Sequence, residues 1–114
     1  MAETPEGRVK RWLFGTRQKP GVLWQKFPGA RWDYAPPGGM FGSTGAPDRL
    51  FVWRGVFVGL EVKAEGGRAT ALQLENLKKI AEAGGVAAII YGKDLAKLDA
   101  IYDAVMAKVR QYGT

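Results

Sequence analysis

The stretch GAPDRLFVWRGVFVGLEVKAEGG, residues 45–67, reads as two apolar runs folded back on each other. Arg54 and Gly55 suit a two-residue turn, which pairs Trp53 with Val56 and, continuing outward, sets Asp48 opposite Glu61. Alternation along VFVGLEVK sends Val56, Val58, Leu60 and Val62 to one face and Phe57, Gly59, Glu61 and Lys63 to the other. Directly opposed residues share a face with Cβ atoms about 4.5–5.5 Å apart, so Asp48 and Glu61 repel unless something positive joins them. A divalent cation would do so. Lys63 alone would also do so, as a surface ion triad contributing only about 0–1 kcal/mol. The opposition depends on the short turn, because a bulge or longer loop would shift the register.

Outward from this hairpin the elements follow from local signals. Thr70 begins TALQLENLKKIAEAGG, whose Leu74, Leu77, Ile80 and Ala81 recur at helical spacing until Gly84 and Gly85 stop the helix. VAAIIY, residues 86–91, is a short continuous apolar run suited to a central strand. Asp94 then caps a last helix carrying Leu95, Leu98, Ile101, Val105 and Val109. On the other side, Thr4 and Pro5 open a first helix over residues 5–15 with Val9, Trp12 and Leu13 on its apolar stripe. VLWQKF, residues 22–27, reads as a strand. Residues 28–47 are rich in Gly and Pro and read as a long loop, a length often tied to function. The order helix, strand, hairpin, helix, strand, helix predicts an α/β fold in which a small mixed sheet is covered by helices. The length of 114 residues fits a single domain over residues 1–114.

Composition narrows the chemistry. The chain has no Cys and no His, which excludes disulfides, thiolate or imidazole metal sites, and Ser-His or Cys-His catalysis. Any catalysis must use carboxylates, Lys, Arg, Tyr, backbone groups or a hard cation held by oxygen. Seventeen Lys and Arg against eleven Asp and Glu give a net charge of +6, which suits a polyanionic partner as well as a solvated basic surface. No apolar run approaches the roughly 18 residues of a membrane span, so no membrane partner and a cytoplasmic location, in a bacterium or a phage-infected cell, are expected.

Pro47 and Asp48 followed by Glu61-Val62-Lys63 resemble the motif of the PD-(D/E)XK nuclease superfamily. Residues 45–90, with the Gln on the following helix and the AGG before the next strand, are similar to the VRR-NUC branch in its short stand-alone form. PEGRVKRWL in the first helix extends the likeness over most of the chain. The resemblance implies a restriction-endonuclease-like fold, an α-β-β-β-α-β core plus a C-terminal helix. It further implies an Mg²⁺- or Mn²⁺-dependent DNA endonuclease acting on branched DNA, such as four-way junctions or flaps, as a homodimer. A non-catalytic nucleic-acid-binding module or phage interaction protein of the same fold is the alternative.

Carried over by position, Asp48 and Glu61 would bind the metal, with the Val62 carbonyl and Glu6 as further ligands. Lys63 would orient the attacking water and stabilise charge on phosphate, and Gln73 would lie beside the site. Two of these residues have simpler explanations too. Thr70-x-x-Gln73 is a capping box, and Glu6 lies in a first helical turn where any carboxylate is favoured. Arg8, Arg11, Arg17, Arg31, Arg68 and Lys78, together with Lys10, Lys19 and Lys79, are candidates for phosphate contacts. In the long loop, Arg31, Trp32, Asp33, Tyr34 and Phe41 mix aromatic and charged groups that would stack on unpaired bases, cover the sheet or form a dimer surface.

Overall fold

In the computed structural model, residues 3–37 and 45–113 are described. The hairpin turns at Arg54 and Gly55, whose φ angles of 50° and 82° both lie in the left-handed region that a tight two-residue turn requires. This turn joins β2 (Arg49–Trp53) to β3 (Val56–Lys63), paired antiparallel from Trp53↔Val56 to Arg49↔Leu60. The expected register is therefore the observed one. Gly55→Ala forces a side chain into that left-handed backbone and is expected to cost about 1–2 kcal/mol, read by urea unfolding. An unchanged midpoint would mean that the turn does not hold the register.

The remaining strands extend the ladder on both sides. β4 (Val86–Tyr91) runs parallel to β3, and the short β1 (Trp32–Tyr34) runs antiparallel to β2, giving the order β1-β2-β3-β4. The result is a four-stranded mixed sheet flanked by helices. Val56, Val58, Leu60 and Val62 are fully buried on the face covered by α1 (Pro5–Phe14) and α4 (Leu95–Tyr112). Val9 and Leu13 from α1 and Leu98, Ile101, Val105 and Val109 from α4 complete that core with Ile90 of β4. Among the described residues, the helix on the opposite face is α3 (Ala71–Glu82), packed over β3 and β4. There Gly59 leaves room for Ile80, whose Cδ1 would lie 2.7 Å from any Cβ added at that position.

Two expectations in the N-terminal half are overturned. Residues 22–27 do not form a strand: Val22–Lys26 is a short helix, α2, and Phe27 caps it. Leu23 and Phe27, four apart, both point inward and are fully buried, so helical spacing outweighs the β-prone composition of the run. Phe27 meets Phe51, Trp53 and Tyr102 at ring-centroid distances of 5.1, 5.2 and 5.7 Å. The indoles fix α2 further, Trp24 donating to the Phe14 carbonyl at 3.1 Å and Trp53 to that of Pro28 at 3.0 Å. Second, the long loop contains β1, the strand that takes the place expected for residues 22–27. All three of its residues are exposed, so it carries no pattern of burial and exists only through pairing with β2. Trp32 and Tyr34 stack nearly parallel on the open half of the sheet beside the exposed Val52, covering no core; Phe41 lies outside the described residues.

Candidate active site

The hairpin ladder ends at Arg49↔Leu60, and Asp48 is the next residue out. Its carboxylate turns back across the strand end, where Oδ2 accepts the Val62 N–H at 2.7 Å. A strand residue directs its N–H and C=O to the same edge, so the Val62 carbonyl also faces the Asp48 side. Glu61, in the same strand, is 2% exposed, and its Oε1 is buried without a hydrogen-bond donor. Lys63 Nζ stands 3.8 Å from Glu61 Oε2. Gly92 fastens this strand end to β4 by donating its N–H to the Lys63 carbonyl at 2.8 Å.

These surroundings act strongly on Glu61. Burial, with the Asp48 carboxylate next to it, pushes its pKa up to about 7, and Lys63 offsets only part of the rise. Metal-free Glu61 is therefore extensively protonated at pH values where ordinary carboxylates are ionised. A cation bound beside it would reverse that preference.

Helix α1 supplies the other wall. Thr4 caps it by accepting the Gly7 N–H at 3.0 Å, which places Glu6 in the first turn and Lys10 one turn later. Lys10 Nζ lies 3.1 Å from Glu6 Oε2 and 3.1 Å from Asp48 Oδ1. Partial burial pulls the Lys10 pKa down, but Asp48 and Glu6 outweigh that effect and hold it above the ordinary lysine value. Glu6 is linked to Asp48 through this shared ammonium. Among the described residues no three Asp or Glu side chains converge as a ready-made metal cage.

Gln73 holds the capping position expected of it. It closes the capping box, its Oε1 accepting the Thr70 N–H at 2.8 Å and its own N–H donating to Thr70 Oγ1 at 3.1 Å. It also lines a cleft of about 520 Å³ with Asp48, Lys10, Arg11 and Arg49. Arg49 is a site residue that sequence reasoning missed. Its guanidinium bonds Asp33 at 2.8 Å and covers the Phe14 ring at 4.4 Å, while Nε is buried without an acceptor. Lys10, a phosphate candidate by sequence, lines this cleft and also stands between Glu6 and Asp48; its spacing of four from Glu6 signals that pair, whereas the link to Asp48 arises only on folding.

No family model matches the chain, and neither a curated protein nor a solved structure matches it. The chemistry open to the site is therefore set by its own geometry. Of the six basic residues favoured for nucleic acid, Arg8 and Arg11 lie on α1 and line a second cleft beside the first. Arg17, Arg31, Arg68 and Lys78 are exposed and line neither cleft, and Lys78 faces Glu82 at 3.8 Å on the outer side of α3.

Proposed function

We propose that the chain is a metal-dependent DNA nuclease with a restriction-endonuclease-like fold. The observation that carries the reading is the buried Glu61 opposite Asp48, with an oxygen lacking any donor and Lys63 beside it. A buried carboxylate with one oxygen left unpaired is costly, and a divalent ion is a ligand that would directly offset the cost. Asp48, Glu61 and the Val62 carbonyl form an all-oxygen donor set suited to Mg²⁺ or Mn²⁺, which keep water ligands and need only one or two carboxylates. When bound, such an ion supplies Lewis-acid chemistry and lowers the pKa of water.

The chain's own groups account for the rest. Lys63 stands beside the acids, where its ammonium orients a water for in-line attack and stabilises the charge that develops on the phosphate. Arg49, Arg11 and Lys10 line the cleft and attract the phosphodiester before reaction. Gln73 lines the wall next to Asp48 and can bond a phosphate or water through its amide N–H₂. The domain is small for gripping two strands, so a homodimer with two clefts related by a two-fold axis suits a branched substrate and paired cuts.

The test is incubation of the pure protein with labelled four-way junction, flap and linear duplex in Mg²⁺, Mn²⁺ or EDTA. Metal-dependent cleavage of the branched substrates ahead of the duplex is expected. Metal-independent binding without product on any of them would leave the ion pairs of Lys10 and Lys63 as a structural network and the protein as a non-catalytic DNA-binding module.

A further inference from the structure

Beside the Asp48 cleft, which Glu61 and Lys63 do not line, lies a groove of about 490 Å³ lined by Arg8, Arg11, Lys19 and Lys93, with Trp12 and Gln25 among its other walls and no carboxylate among its described lining residues. The two clefts share Arg11, Gly15 and Thr16, so they adjoin. Arg11 pairs with Glu3 at 2.9 Å; among the described residues Arg8, Lys19 and Lys93 have no acidic partner within 4 Å. We propose that this groove is a phosphate-binding track that holds the backbone of a nucleic-acid strand leading toward the adjoining Asp48 cleft. The proposal rests on the reading of that cleft as a nucleic-acid site and adds where the strand runs.

Three separate elements converge to build the track. Arg8 and Arg11 come from the exposed side of α1, one turn apart. Lys19 comes from the turn after it, which is held closed by Thr16 N–H to the Lys19 carbonyl at 2.8 Å and Lys19 N–H to Thr16 Oγ1 at 3.2 Å. That turn has no slack, because a Cβ at Gly15 would fall 2.2 Å from the Gly21 nitrogen and one at Gly21 would fall 2.2 Å from the Leu13 carbonyl. Lys93 follows Gly92, whose N–H is bonded to Lys63 of the acid centre. Four cations fixed around one open space repel each other, and a ligand with repeating negative charge relieves all of them together. Such contacts fix the strand's path without reading its sequence.

The two exposed lysines allow a test that spares the fold and the acid centre. Duplex binding by the Lys19→Gln/Lys93→Gln protein is measured by fluorescence anisotropy in EDTA, from about 50 to 200 mM salt. Affinity is expected to fall about tenfold or more, and the slope of log K against log salt to become shallower by about two, one for each phosphate no longer neutralised. Lys108→Gln/Arg110→Gln, in the last turns of α4 and lining neither cleft, is expected to bind like the parent. Parental affinity and slope in the Lys19/Lys93 variant overturn the track. So does a variant that loses only affinity for inorganic phosphate while holding duplex normally, since the groove would then serve a small anion. Cleavage measured in parallel separates the two readings: a parent that binds and never cuts defeats the nuclease and leaves the track standing.

Discussion

Glu61→Gln is expected to remove metal-dependent cleavage, by at least about 10²- to 10³-fold, while making the metal-free protein more stable at alkaline pH. Both effects come from one oxygen pair. The folded pKa of Glu61, about 7, stands above the ordinary 4.5, so the folded state holds the proton more tightly than the unfolded chain does. That contribution is complete below about pH 4.5 and is lost as pH rises through about 7, at most about 3 kcal/mol in all. Glutamine keeps the shape without the charge and has nothing to lose over that interval. Urea unfolding in EDTA at pH 5 and pH 8 reads the difference: the parent weakens relative to the variant, and added Mg²⁺ restores only the parent. If both proteins change in parallel between the two pH values, Glu61 is not the strained group described here.

Lys63→Ala is expected to slow single-turnover cleavage by about 10²- to 10³-fold with little change in DNA affinity measured in EDTA. The lysine stands beside Glu61, whereas the cations proposed to hold the backbone line the clefts. Its loss has a second signature. Lys63 lowers the Glu61 pKa, so without it the carboxyl ionises less readily and the rising limb of any residual pH–rate profile moves to higher pH. A variant that cuts as fast as the parent would remove Lys63 from the mechanism.

The parts of this fold that are legible in the sequence are those decided locally. Arg54-Gly55 fixes a turn with positive φ at both positions, and the alternation of VFVGLEVK then determines which face meets the core. That register brings Asp48 to the end of β3 that carries Glu61 and Val62. β4 and α4 are equally legible, because a short apolar run and a long helical stripe behind an Asp cap carry their own signals. Val22–Lys26 misleads because Val, Leu, Trp and Phe favour strands as residue types, while the four-residue spacing of Leu23 and Phe27 is what packing uses. β1 leaves no pattern to read, since an exposed edge strand buries nothing. The same limit hides Arg49 as a cleft residue and Lys93 as a neighbour of α1: each is brought to its place by long-range pairing that no local spacing records.

The ammonium of Lys10, spanning Asp48 and Glu6, gives the acid centre a counter-ion of its own. A site whose carboxylates are left bare tends to seize whatever cation is at hand or to loosen the chain around it. Here the positive charge is tethered to α1 and can be withdrawn without leaving the protein. On the nuclease reading, a divalent ion that displaced it would raise the local charge by one unit rather than two, and the released ammonium would stay tethered to α1. Cation entry and substrate attraction would then be two ends of a single side-chain movement.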